Sequence, residues 1–286
     1  MKRFALSAVA FVLAALLLAT TTVFAAPVTD QSIIDNLQNT AVTISGDGRG
    51  RGSGTLFTRE VSEGVYKSYV WTAAHVVNDL RRTREVIDAE GMKRTIVEFD
   101  DCQIYQELIQ DGRKVQQTFN EVRLICFSNA ETGDDQALLE VRLRNYTQRT
   151  AVFYLEDEIP GIGTELIHIG SLLGDLGSCS FTTGVTSQVG RLLAVTQNSK
   201  EAVFDQTSAV AFPGSSGGGV YNMETGEYIG MLTAGIRDAQ GFHWYVPVRR
   251  MYSWAQRMNL EWALDASVPM PSEEELKAIP IEDIGL

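Results

Sequence analysis

The 286 residues are 44% hydrophobic and 9% aromatic and include 7 prolines, a balance too apolar for a disordered chain and too poor in proline for a fibrous one. A net charge of −12 argues against wholesale binding of nucleic acid or of an anionic membrane surface. Three cysteines with no C-x-x-C pair exclude a dense disulfide scaffold and offer no zinc-site spacing.

Lys2 and Arg3, the apolar run from Phe4 to Ala19, and Val23-Phe24-Ala25 follow the order of a signal peptide over residues 1–25: positive start, apolar middle, small-residue cleavage site. The run is 16 residues, short of the roughly 20 that span a bilayer. The expectation is an exported chain, periplasmic or secreted, that starts near Ala26 and has no stable membrane insertion; an uncleaved anchor is the competing reading.

From there on, β-branched and aromatic residues recur at period two, with turn residues every 8–12 positions. Strands are expected at 41–45, 54–58, 66–72, 121–127, 137–143 and 151–155, then at 164–169, 180–188, 192–196, 202–205, 218–221, 228–234 and 243–248. The acidic, Pro/Gly-containing stretch 156–161 reads as a connector between two halves, and 81–117 as a charged insertion with no pattern of its own. One helix is expected, at about 249–264, where Tyr252, Ala255, Met258 and Trp262 recur at helical spacing. Beyond 266 the chain reads as an acidic, proline-containing tail, loosely docked. Cys102 and Cys126 could face each other across a hairpin turning near Gly112, with Cys179 left over; three reduced, buried thiols fit equally well. The period and spacing give an all-β sandwich or pair of barrels.

Three segments carry chemistry. Trp71-Thr72-Ala73-Ala74-His75 is a strand running into small residues and a histidine, Asp134-Asp135 stands just ahead of a strand, and Pro213-Gly214-Ser215-Ser216-Gly217-Gly218 is a serine inside a glycine-rich turn. A serine hydroxyl needs a base within hydrogen-bond reach to become a nucleophile. A histidine titrating near neutrality supplies one, and a buried carboxylate fixes its tautomer. His75, Asp135 and Ser216 are therefore the candidate catalytic set, with Asp135 preferred and Asp134 read as solvated. Gly214 lets its own N–H and that of Ser216 point at one spot, where an oxyanion would develop. His168 and His243 lie inside strand patterns and read as structural histidines. No cofactor or metal is called for.

These motifs resemble the trypsin-like serine proteases, in particular the bacterial HtrA (Deg) protease domains. Ile169–Gly174, Thr182–Ser187 and Gly241–Val248 resemble that branch's glycine-rich loop, the strand after it and its closing strand. The likeness runs over about residues 38–250. It implies a chymotrypsin-like fold of two antiparallel six-stranded β-barrels, about 38–155 and 162–250, followed by a C-terminal helix within a protease domain at 26–266. His75 and Asp135 would sit on the first barrel and Ser216 on the second. The implied activity is that of a serine endopeptidase on protein or peptide substrates, with oligomeric state left open. By the same resemblance Val210 lies at the base of the primary pocket, and Thr233, Ala234 and Gly235 form the strand along which substrate pairs. Without an acid at that base, a medium apolar residue is expected before the cleaved bond. Ser215 stands where trypsin has an aspartate that pairs with a new N-terminus, so activation by that route is not expected. The stretch after 250 leaves no room for the PDZ domain that HtrA proteases usually carry. A catalytically silent relative of the fold, acting as a protein-binding module, is the alternative. An α/β-hydrolase, suggested by Gly214–Gly218, requires a different order of residues and alternating helices.

Overall fold

The computed structural model describes residues 30–46, 49–131, 133–142, 149–194, 199–236 and 239–283. The expected signal peptide, residues 1–25, and Leu143 and positions 195–196 of two expected strands lie outside them. The chain divides into residues 1–30 and Gln31–Leu286, and every element below belongs to the second unit.

Helix α1 (Gln31–Thr40) opens it and was not anticipated: Ile33, Ile34 and Leu37 are its only large apolar residues, too few to stand out in a polar stretch. Strands β1 (Ala41–Gly46), β2 (Arg49–Ser62) and β3 (Val65–Thr72) form an antiparallel meander that ends in a single helical turn, α2 (Ala74–Val77). The charged insertion is folded. Its first part is an antiparallel hairpin, β4 (Arg81–Ile87) and β5 (Lys93–Phe99), forming a sheet of its own. Its second part runs into β6 (Cys102–Gln110) and β7 (Arg113–Ser128), joined at Asp111-Gly112 where both residues have positive φ. With β8 (Gln136–Arg142) these close a six-stranded ring in the order β7-β6-β1-β2-β3-β8, with β8 returning to β7.

The second ring is a closed barrel in the order β10-β11-β14-β13-β12-β9, built from β9 (Glu165–Leu172), β10 (Gly177–Leu193), β11 (Ala202–Thr207), β12 (Gly219–Asn222), β13 (Tyr228–Gly235) and β14 (His243–Pro247). Two expected strands, 180–188 and 192–196, fuse into the long β10, whose pairing with β11 shifts twice. The expected strand at 151–155 is instead a connector. It makes one bridge, Phe153 to Tyr228, and its Ala151 N–H donates to Leu56 C=O. Cys102 lies opposite Val122 rather than Cys126, and all three cysteines are buried thiols outside any disulfide. Burial pushes the thiols of Cys126 and Cys179 up to about 12.

Helix α3 (Val248–Met258) is shorter than the periodicity suggested. Asn259 takes the left-handed conformation at φ 56°, a common stop, and a 3₁₀ turn at Glu261–Ala263 follows. This run carries the chain from the second barrel back onto the first. The Trp254 ring meets Trp71 edge-on at 5.9 Å, Trp262 meets Tyr69 at 4.9 Å, and Trp71 Nε1 donates to Ala263 C=O. All four rings are buried, and truncating one of these tryptophans to alanine would cost roughly 3–5 kcal/mol. The tail is docked rather than loose. Helix α4 (Glu273–Ala278) starts with a Ser272/Glu275 capping box, and β15 (Glu282–Asp283) adds in parallel to β7 at Phe127-Ser128.

Candidate active site

The facing edges of the two rings are joined by small and hydroxyl-bearing residues, which let backbones approach closely. Ser53 on β2 is the hub. Its N–H donates to Ser216 C=O at 2.8 Å, its hydroxyl donates to Gly214 C=O and accepts from Ser171 N–H, both at 2.7 Å, and its C=O accepts the Thr72 hydroxyl. Gly217, at φ 86°, passes so close that a Cβ there would lie 2.1 Å from Ser53 O, so only glycine fits.

His75 sits on α2, immediately after the buried Ala73 and Ala74 that pin the turn against the core. Asp135 leads into β8 with φ 56°, a left-handed conformation that aspartate tolerates better than most residues. That backbone turns the carboxylate back toward His75. Asp135 Oδ2 lies 3.0 Å from His75 Nδ1, and Oδ1 accepts the His75 backbone N–H at 3.0 Å. The Thr233 hydroxyl, from β13 on the other ring, donates to Asp135 Oδ2. Four-tenths of the imidazole surface is exposed, whereas the carboxylate is buried. Burial alone would raise the Asp135 pKa, but the adjacent imidazole and these hydrogen bonds hold it below the usual carboxylate range. Burial pulls the imidazole the opposite way, and the charge and hydrogen bond of Asp135 prevail to raise it. Asp134 is not simply solvated. It is ion-paired with Arg250 and Arg257 of α3, which anchors the loop that presents Asp135.

Ser216 lies in the turn between β11 and β12. Gly214 has φ 99°, and a Cβ there would meet Ser171 O at 2.3 Å. The Pro213 C=O accepts the Leu173 N–H at 2.8 Å. Because the peptide is planar and trans, the Gly214 N–H must point the opposite way. The N–H groups of Gly214 and Ser216 make no hydrogen bond among the described residues, leaving two adjacent donors unused. Ser215 is buried and ties the turn to itself: its N–H donates to Phe212 C=O, and its Oγ accepts the Phe212 N–H at 3.1 Å. Ser216 Oγ donates to Thr233 C=O at 3.2 Å, not to His75. A rotation about its Cα–Cβ bond is needed to aim it at the imidazole.

Of the other positions expected at the site, Val210 is about one-third exposed and its C=O accepts the Thr182 hydroxyl. Ala234 and Gly235 lie on β13 opposite Trp244 and His243. Ser53 and the carboxylate-binding role of Thr233 were not foreseen. A serine between two glycines inside a strand, Gly52-Ser53-Gly54, was the available sign of close backbone approach. A cavity of about 380 Å³ lined by Tyr154, Ile229, Tyr245 and Tyr252 takes in none of the site residues. Among the described residues no group of three or more His, Cys, Asp or Glu side chains is arranged to hold a metal ion, and no helix is long and apolar enough to cross a membrane.

The family model described as a trypsin-like peptidase domain matches residues 52–231. Solved structures similar to this chain include Deg5 (18% identity, TM-score 0.54, 79% of this chain and 91% of that one). An HtrA-type protease, AlgW with a tripeptide, matches at 20% identity and TM-score 0.54, over 82% of this chain and 64% of that one. A serine endoprotease from Yersinia pestis matches at 23% identity and TM-score 0.51, over 81% and 66%. The chain thus spans about two-thirds of the length of the last two. At these identities the likeness concerns the fold. No curated protein sequence matches the chain.

Proposed function

The chain belongs to the trypsin-like peptidase domain family, and from that premise we propose that it is an exported serine endopeptidase working through His75, Asp135 and Ser216. The observation that carries the proposal is the hydrogen-bonded His75–Asp135 pair set across the ring interface from a serine turn with two unused N–H donors. Asp135 keeps the proton of His75 on Nδ1, which leaves Nε2 bare to accept one. The Ser216 proton passes to Nε2 as Oγ bonds to the peptide carbonyl carbon, and the oxyanion so formed is held by the N–H groups of Gly214 and Ser216. The C–N bond then breaks, the leaving amine takes the proton from His75, and the acyl-enzyme ester is hydrolysed by water activated in the same manner. Substrate backbone pairs along Ala234 and Gly235, with its side chain toward Val210. Export rests on the signal-like order of residues 1–25. The self-bonded Ser215 supports a turn that needs no new N-terminus to hold it.

The Ser216 hydroxyl bonded to Thr233 C=O favours a second reading, a silent fold that binds peptides without cleaving them. Labelling by a fluorophosphonate probe separates the two. Wild-type protein is expected to label, and Ser216→Ala and His75→Ala to abolish the signal; a folded wild type that does not label would move the binding module to the front, beside a turn that awaits an activator.

A further inference from the structure

His243 on β14 lies on the face of the second barrel that the primary pocket of the proposed peptidase would use. Its backbone is paired with Gly235, on the strand along which substrate would lie. Gly235 has no side chain, and the imidazole occupies the space under it: a Cβ on Gly235 would fall 2.2 Å from His243 Cδ2 and 3.1 Å from Nε2. On its other side the ring reaches the base of the pocket. Nδ1 lies 2.9 Å from Ala209 C=O, the carbonyl of the peptide bond that leads into Val210. A carbonyl can only accept, so Nδ1 carries the proton and donates it. Nε2 is then left as a lone-pair acceptor, and it makes no hydrogen bond among the described residues. Unlike Nε2 of His168, it is not among the fully enclosed polar atoms that lack a partner, although the residue as a whole is only 5% exposed.

We infer that His243 is the residue that reads the side chain before the cleaved bond, through an Nε2 acceptor at the floor of a shallow pocket. The inference rests on the peptidase reading above and replaces the apolar preference that the sequence suggested. The substrate side chain it fits is short, uncharged and able to donate a hydrogen bond: asparagine first, then glutamine, serine and threonine. Basic side chains are disfavoured, because the wall formed by 208–213, 233–236 and 242–244 contains no carboxylate and a cation there would be unpaired. Burial lowers the pKa of His243 from the ordinary imidazole value, in keeping with a neutral acceptor at pH 7. Long apolar side chains are disfavoured, since the His243 imidazole already occupies the space beneath Gly235.

Asparagine and leucine have nearly the same shape but differ in hydrogen-bonding groups, so a pair of fluorogenic peptides identical except for Asn or Leu at this position isolates the contact. Wild type is expected to show kcat/KM at least tenfold higher for the Asn peptide. His243→Ala, which opens the floor and removes the acceptor, is expected to invert the ratio in favour of Leu while still labelling with the fluorophosphonate probe. A wild type that prefers Leu, or a folded His243→Ala enzyme with an unchanged ratio, would overturn the inference and leave the peptidase standing, provided the probe labels. Failure to label overturns both. The wild-type ratio decides the matter even where the variant does not fold.

Discussion

At the scale of single residues, the site depends on contacts that span the chain. Asp135 and Thr233 are 98 positions apart, and Ser53 and Gly214 are 161 apart. His75, Asp135 and Ser216 were legible because each sits in a local context that suits its chemistry. Ser53 and the Asp135-facing role of Thr233 were not, because only folding brings their partners near. The raised pKa of His75 fixes the sign of one prediction. Catalysis needs the neutral imidazole, so kcat/KM should rise with pH through a limb whose midpoint lies above the ordinary histidine value of about 6.5. Asp135→Asn removes the charge that raises it and no longer fixes the tautomer. The limb should move down and kcat fall by about 10³–10⁴-fold, measured by steady-state kinetics across pH 5–9. An unshifted limb in the variant would mean that Asp135 does not govern His75.

At the scale of elements, strands with one buried face were readable from their alternation, and those without one were not. The β4–β5 hairpin is solvated over most of both faces, which erases the period-two signal. The connector at 151–155 alternates like a strand, yet its hydrogen bonds go to Leu56 and Tyr228 on different rings, so it joins neither sheet as a full member. Strand β9 carries a different consequence. His168, fully buried on it, donates Nδ1–H to Gly219 C=O and has an unpaired Nε2. Burial lowers its pKa to about 4. A histidine that resists protonation in the folded state but accepts a proton near pH 6.5 when unfolded adds stability that is full above pH 6.5 and is lost as pH falls toward 4. The loss from this residue amounts to about 3 kcal/mol. His168→Gln keeps a donor for Gly219 and cannot titrate. Thermal melts at pH 7 and pH 4.5 should therefore show a smaller acid-induced drop in the variant than in wild type. Equal drops would place the acid sensitivity elsewhere.

At the scale of the whole molecule, the part of the chain that seemed least informative in sequence ties together parts that local patterns describe separately. Alternation and helical spacing reveal elements, but a proline-containing acidic tail has neither, and its docking depends on which polar groups the folded body presents. Here those groups are specific. Arg81 makes a bidentate pair with Glu282, the Trp254 indole N–H donates to Asp283, and Ser128 Oγ donates to Asp283 while accepting the Asp134 N–H. The last chain of contacts runs from the tail to the loop that presents Asp135, which α3 grips from the other side through Arg250 and Arg257. Removing residues 269–286 would strip the indole N–H of its acceptor and break the bidentate pair. The expected cost is about 2–4 kcal/mol, a fall in Tm of roughly 5–15 °C. The Ser128 hydroxyl, which accepts the Asp134 N–H, would also lose the carboxylate that orients it, so kcat should drop in the truncated protein even well below its melting temperature, with KM nearly unchanged. Asp283→Asn separates the two effects: it keeps an acceptor for the indole and the strand pairing with β7, so it should retain most of the stability. A truncated protein with the wild-type Tm would show that the tail's contacts do not hold the fold, and an unchanged kcat would show that α3 alone positions the carboxylate.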